Sequence, residues 1–213
     1  VAIRVSEFAP DKIVYITDER QQLHFRQFFA IARKLGYTTR LDHVWFGLMR
    51  LPEGTFSTRE GNVIKLERLL DEAEQRALEI VRKTSPEMKP EQQAEVARAV
   101  GIGAVKYADL SQNPQTTVTF TWEKALSLEG NSGPYLQYAY ARIASVRDKY
   151  VEKFPGVNPD SFPLRISEPI ERTLALKLVR FPEVVLRAAE AYKPSSLADY
   201  LYDLAQTYST FYQ

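Results

Sequence analysis

The sequence predicts a mixed, mainly α fold, with an α/β segment first and a helical bundle after it. Three observations predict it. A β-branched run, Lys12-Ile-Val-Tyr-Ile-Thr17, is followed by apolar residues at helical spacing from Gln22 to Leu35. From Ile64 the helical spacing takes over and persists, with one alternating stretch at residues 116–122. Residues 134–213 then read as helices punctuated by proline.

Composition bounds the function classes. The 213 residues, 45% hydrophobic and 26% charged, suit a globular chain of one or two domains. Lys+Arg numbers 28 against 27 Asp+Glu, a net charge of +1, so bulk charge does not indicate a polyanion-seeking protein. A local basic face stays open. Cysteine is absent, which excludes disulfides, thiolate zinc sites and cysteine nucleophiles. Only His24 and His43 offer imidazoles, and no metal-ligand spacing accompanies them. The longest apolar run is Phe28 to Ala32, far short of the roughly 20 residues of a membrane span. Arg4 and Glu7 rule the first residues out as a signal peptide. No Met stands at the start, and the last residues lie inside a helical pattern, so the chain is expected to be a piece of a longer protein, truncated at both ends.

Each element has a local reason. Residues 12–17 make a buried strand, and Asp18 to Gln22 a polar break. In the following helix Leu23, Phe25, Phe28, Phe29, Ala32 and Leu35 share a stripe, with Gly36 as its C′ residue. A second strand is expected at His43 to Met49 and a loop at Arg50 to Asn62. Ile64, Leu66, Leu69, Leu70, Ala73, Ala77, Ile80 and Val81 form the next helical stripe, with Glu72–Arg76 and Glu79–Lys83 as i,i+4 pairs outside it. Ser85-Pro86 and Lys89-Pro90 separate it from a helix over Glu91 to Asp109. Val118, Phe120 and Trp122 alternate, which predicts a strand over 116–122. Glu129 to Pro134 is a turn-rich loop, and Tyr135 to Phe154 a helix. Ser167 reads as an N-cap with Pro169 in the first turn, Pro182 as a break, and Pro194-Ser-Ser196 as the start of a last helix.

Three constellations could carry chemistry. Gln21 and His24 stand three apart where a presumed parallel strand gives way to a helix, the place where open α/β sheets bind ligands. They could hold a polar substrate, or Gln21 could simply cap the turn with His24 at the edge of the core. Thr55-Phe-Ser57-Thr58-Arg59-Glu-Gly-Asn62 suits a phosphate clamp, or else is a solvated loop. It is no Walker loop, lacking Gly-Lys-Ser/Thr. Tyr135, Tyr138 and Arg142 fall on one helical side and could stack bases and meet phosphates, or fill a bundle core as rings. Tyr192, Tyr200, Tyr202, Tyr208, Phe211 and Tyr212 make the chain's end similarly aromatic.

These pieces also stand in a familiar order. Tyr15-Ile-Thr-Asp-x-x-Gln21-x-x-His24-Phe25 comes first, then His43-Val-Trp-Phe46-Gly47-Leu-Met49, then Phe56-Ser-Thr-Arg-Glu-Gly-Asn-Val63. Gly130-Asn-Ser-Gly-Pro-Tyr-Leu-Gln-Tyr-Ala-Tyr-Ala-Arg142 follows, and Tyr200-Leu-Tyr-Asp-Leu-Ala205 with Phe211-Tyr212 ends the series. In that order and at those separations the sequence resembles the arginyl-tRNA synthetases over essentially its whole length. The resemblance implies a class I synthetase: a partial Rossmann-like catalytic segment over 1–109, then an incomplete anticodon-binding helical domain of the DALR type over 110–213. It implies activation of arginine with ATP to arginyl-adenylate, transfer to tRNA(Arg), and Mg2+ accompanying the nucleotide, in a cytoplasmic, monomeric parent without a membrane partner.

Residue by residue, the resemblance assigns arginine binding to Gln21 and a place beside the adenylate to His24. Phe46, Gly47, Leu48 and Met49 match the strand that meets the adenine. Ser57, Thr58 and Arg59 match the mobile signature loop that steadies phosphates, and Tyr135, Tyr138 and Arg142 would face the tRNA. Two departures stand out. Thr55-Phe56 replaces the loop's opening Lys-Met and Thr58 its second lysine, leaving Arg59 as the nearby cation; the His-Ile-Gly-His motif is absent from these residues. The piece alone is therefore expected to be inactive. The alternative is a non-catalytic, synthetase-derived helical module for tRNA, RNA or protein partners.

Overall fold

The computed structural model describes residues 1–47, 49–52, 54–55 and 65–213, and no side chain at 51, 54 or 55. Contacts divide the chain into two compact units, residues 1–55 with 112–119, and residues 56–111 with 120–213.

The first unit is α/β. After a short helix, α1 (Ala2–Phe8), strand β1 (Lys12–Asp18) pairs in parallel with β2 (Arg40–Phe46), from Lys12 opposite Arg40 to Asp18 opposite Phe46. A 3-10 turn (Glu19–Gln21) and helix α2 (Gln22–Lys34) make the crossover. Gly36 ends α2 in a Schellman motif: at φ 86° it donates its N–H to the Arg33 carbonyl, and Tyr37 donates to that of Ala32. Helix α2 buries Phe25, Phe29 and Ala32. The Tyr15 ring lies 5.1 Å from Phe25 and 5.7 Å from both Phe28 and Phe29. On the opposite face of the sheet Ile16 is 68% exposed.

The strand expected over 43–49 starts earlier and is broken at Gly47. There the chain turns into β3 (Met49–Leu51), which pairs antiparallel with β4 (Gly54–Thr55) and parallel with β5 (Val118–Thr119). The beginning of the expected loop is thus a hairpin. The Gly47 N–H donates to the Pro114 carbonyl at 2.7 Å, and a Cβ on Gly47 would meet the Thr116 carbonyl oxygen at 2.5 Å. Only a glycine lets these backbones approach so closely.

The second unit is helical. Helices α3 (Leu66–Thr84) and α4 (Pro90–Leu110) pack as an antiparallel pair. Ile64, expected in the α3 stripe, lies outside the described residues. Ala73, Ala77 and Ala97 are fully buried at this interface, and a Cβ on Gly101 would lie 2.5 Å from the Ala73 carbonyl oxygen. The expected strand over 116–122 shrinks to β5, because the Thr121 hydroxyl accepts the Lys124 N–H and starts α5 (Trp122–Ala125). Trp122 is then held by the Phe120 ring at 5.0 Å and the Arg76 guanidinium at 5.1 Å.

The rest of the unit follows the punctuation. Ser132 caps α6 (Gly133–Lys153), as its hydroxyl accepts the Tyr135 N–H. The cap of α7 (Pro169–Val179) is Glu168, not the expected Ser167. A capping box explains the difference: Glu168 takes the backbone of Glu171, whose carboxylate accepts the N–H groups of both Glu168 and Ser167. Those two bonds hold the Glu171 carboxyl below its ordinary range. The chain breaks at Arg180, with Pro182 in the first turn of α8 (Phe181–Ala191). Helix α9 (Pro194–Tyr212) closes the unit against α7, α8, α6 and α4. No described helix is long and apolar enough to cross a membrane.

Candidate functional site

A parallel strand pair has two ends, and the crossover fixes what gathers at the carboxyl end. Here that end carries Asp18 opposite Phe46, with the 3-10 turn and α2 rising from Asp18 and Gly47 following Phe46. Asp18 accepts the Arg20 N–H at 2.9 Å and the Arg20 guanidinium at 2.7 and 3.0 Å. The guanidinium bonds, then the backbone bond, hold the Asp18 carboxyl below its ordinary range. This ion pair shapes the turn that presents Gln21.

Gln21 is exposed and its side chain caps no helix N–H, so its amide is left to the solvent-facing side of the turn. His24 is also exposed. Its ring is parallel to that of Phe28 at 6.2 Å and edge-on to Phe25 at 5.3 Å. Phe46 is 43% exposed, and β2 touches the 3-10 turn. Gln21, His24, Phe46 and Gly47 therefore share one end of one sheet. Met49 follows in β3, while Leu48, Ser57, Thr58 and Arg59 lie outside the described residues.

Beneath this end sits a pair to which the sequence reading gave no role. His43 Nε2 lies 2.8 Å from the Thr17 hydroxyl, and the His43 ring stacks on Phe25 at 4.4 Å. Burial pushes the His43 pKa down, so the ring is neutral at neutral pH and exchanges one hydrogen bond with Thr17. Strand register announces such a pair: His43 faces Tyr15, which shares a sheet face with Thr17 two residues on.

The third constellation belongs to the helical unit. Tyr138 and Arg142 come together as their i,i+4 spacing requires: the guanidinium donates to the Tyr138 hydroxyl at 2.7 Å and lies over its ring at 4.9 Å. The same guanidinium lies 5.1 Å from the Tyr212 ring of α9. Tyr138 is 52% exposed and Tyr212 49%. Tyr135 departs from the expected trio, since its half-buried ring packs edge-on against Tyr202 at 5.5 Å. The site is a cation between two accessible rings, which can stack on a planar base and keep N–H donors for a phosphate or carbonyl. Sequence spacing on α6 could not find Tyr212, which comes from another helix.

The family model described as tRNA synthetases class I (R), catalytic domain, matches residues 1–122, and that of the DALR anticodon binding domain matches residues 136–213. Arginine–tRNA ligase of Fusobacterium nucleatum subsp. nucleatum is 45% identical over 212 residues, 100% of this chain and 37% of that protein. Arginine–tRNA ligase of Alcanivorax borkumensis is 45% identical over 214 residues, 99% of this chain and 36% of that protein. Among solved structures, Thermus thermophilus arginyl-tRNA synthetase superposes with a TM-score of 0.82 at 32% identity, covering 95% of this chain and 33% of that one. Arginyl-tRNA synthetase from Plasmodium falciparum shares the fold at a TM-score of 0.82 and 24% identity, over 99% of this chain and 36% of that one. The chain thus spans little more than a third of the curated relatives it matches.

Proposed function

The chain belongs to the arginyl-tRNA synthetase family, and from this premise we propose that it supplies part of an arginine–tRNA ligase. The parent activates arginine with ATP: the substrate carboxylate attacks the α-phosphorus and pyrophosphate leaves. A hydroxyl of the terminal adenosine of tRNA(Arg) then attacks the acyl carbon and AMP leaves. ATP enters as a substrate, with Mg2+ on its phosphates, in a cytoplasmic, monomeric parent. Residues 1–109 serve the catalytic domain and residues 110–213 the anticodon-binding domain.

The observation that carries this reading is the convergence of Gln21, His24, Phe46 and Gly47 at the carboxyl end of β1 and β2. Gln21 offers an uncommitted amide whose oxygen can accept from the arginine substrate. His24 presents an exposed ring edge beside the adenylate, and Phe46 to Met49 meet the adenine. Ser57, Thr58 and Arg59 steady the leaving pyrophosphate. On α6, Tyr135, Tyr138 and Arg142 serve the tRNA, with Tyr135 acting through its packing on Tyr202. Catalysis here is positioning plus charge stabilisation, without a covalent enzyme intermediate.

Two assays on the 213-residue chain test this. Arginine-dependent ATP–pyrophosphate exchange is expected to be absent, because these residues lack the His-Ile-Gly-His motif. Fluorescence anisotropy across a salt series is expected to show preference for tRNA(Arg) over a non-cognate tRNA, with the modest salt slope of a nearly neutral chain. Equal, weak and steeply salt-dependent binding would overturn the RNA-binding role of the helical unit.

A further inference from the structure

Helices α6 and α9 run alongside one another, and three contacts step along their seam. The first is at the amino ends, where the Tyr107 hydroxyl of α4 lies 2.6 Å from Asn131 Oδ1 and 3.1 Å from the Ala198 carbonyl oxygen. The second is Tyr135 against Tyr202 at 5.5 Å. The third is the Arg142 guanidinium against Tyr212 at 5.1 Å. The first is made by residues outside the two helices, Tyr107 of α4 and Asn131 in the turn before α6.

Tyr107 is built into that place. Gly133, the first residue of α6, sits so close that a Cβ on it would meet the Gly103 carbonyl oxygen at 2.9 Å, Ala104 Cα at 3.1 Å and Tyr107 Cβ at 3.1 Å. One side chain therefore carries the first turn of α6 on its stem and reaches α9 with its hydroxyl. A phenol has one proton and cannot donate to two acceptors. The geometry is satisfied when the Asn131 amide turns its Nδ2 toward the phenol: the amide donates to Tyr107, and Tyr107 donates to the Ala198 carbonyl. Burial first, then the nearby Asp199 and Tyr202, push the Tyr107 pKa up to about 12, so the donor proton stays in place across the working range.

We propose that Tyr107 is a positioning residue for the RNA-binding face, its hydroxyl fixing the spacing of α6 and α9 on which the Arg142–Tyr212 contact depends. This rests on the reading of Tyr138 and Arg142 as RNA-facing. Tyr107 itself touches no RNA. Its Cβ lies against Gly133 at the start of α6, and its hydroxyl lies 3.1 Å from the Ala198 carbonyl oxygen of α9.

The test uses the full 213-residue chain and its Tyr107→Phe variant, well below their melting temperatures. The nuclear Overhauser effect between the Arg142 side chain and the Tyr212 ring reads the seam without RNA. It is expected to weaken in Tyr107→Phe although far-ultraviolet circular dichroism is unchanged. Affinity for tRNA(Arg) is expected to fall about fivefold, the equivalent of one net hydrogen bond. An undiminished Overhauser effect overturns the proposal whatever the affinity does, since a merely structural hydroxyl lowers the melting temperature and leaves the seam intact. A weakened effect with affinity unchanged within twofold overturns it as well. If the wild-type chain binds no tRNA(Arg), the reading of the face fails, and the Overhauser effect alone decides whether Tyr107 sets the seam. Should the variant not fold, the wild-type Tyr107 hydroxyl proton decides: slow exchange with a cross-peak to the Ala198 region is expected, and fast exchange overturns the proposal.

Discussion

At the scale of single residues, the smallest side chain is the most constrained. Gly101 lies inside α4, where alanine ordinarily improves a helix by about 1 kcal/mol. The Ala73 carbonyl oxygen, 2.5 Å from where the new Cβ would stand, reverses that sign. It belongs to a buried backbone, so the two helices themselves must separate, at an overpacking cost of about 1–3 kcal/mol. Gly101→Ala is expected to lower the melting temperature by several degrees, measured by circular dichroism at 222 nm; an unchanged or raised value would mean that α3 and α4 part freely. The sequence displayed Gln21 and His24 by their spacing alone. It displayed Tyr107 only as one more ring on a helix, because its acceptor at Ala198 lies 91 residues away.

At the scale of elements, what starts and stops a helix was local and therefore legible. Gly36, Pro169, Pro182 and Pro194 all stand at helix boundaries. Misreadings came where two local signals competed. Alternation at Val118, Phe120 and Trp122 looked like a strand until Thr121 supplied a cap, and Ser167 yielded to the capping box of Glu168 and Glu171. The break of the second strand at Gly47 depends on residues 114–116 and has no local signature. Ser132 lets a cap be weighed. It is 3% exposed, accepts the Tyr135 N–H at 3.2 Å and donates to the Ser127 carbonyl at 2.5 Å. Ser132→Ala orphans both groups and is expected to cost about 1–2 kcal/mol, read from urea unfolding. Ser132→Asn, a side chain that caps about as well, is expected to recover part of that loss.

At the scale of the whole molecule, the two units differ in how they bury themselves. Parallel strands ordinarily have both faces covered, whereas β1 and β2 leave Ile16 68% and Phe46 43% exposed on the face away from α2. The α3–α4 pair buries Ala73, Ala77 and Ala97 completely. Native-state hydrogen exchange is therefore expected to be slower, by an order of magnitude or more, in the middle of α3 and α4 than in β1 and β2. Equal protection would mean that the strands draw stability from sources other than their covered face. The gathering of residues 56–111 with 120–213 rests on contacts such as that of Tyr107 with Ala198, which no pattern along the chain announces.

The contact of Gly101 with Ala73 has a mechanical side. Where two helices meet through long side chains, rotamers act as springs, and a push on one helix is partly absorbed before it reaches the other. Here peptide groups meet with no side chain interposed, so α3 and α4, spans of about 28 and 31 Å at 1.5 Å per residue, behave as one thick beam. Because the two helices are antiparallel, Leu66 and Leu110 stand at the same end of that beam, opposite the turn at residues 85–89. Deleting one residue inside α4 ahead of Gly101 would turn Gly101 by about 100° about the helix axis and carry it out of the notch, so the register of the beam is set to a single residue.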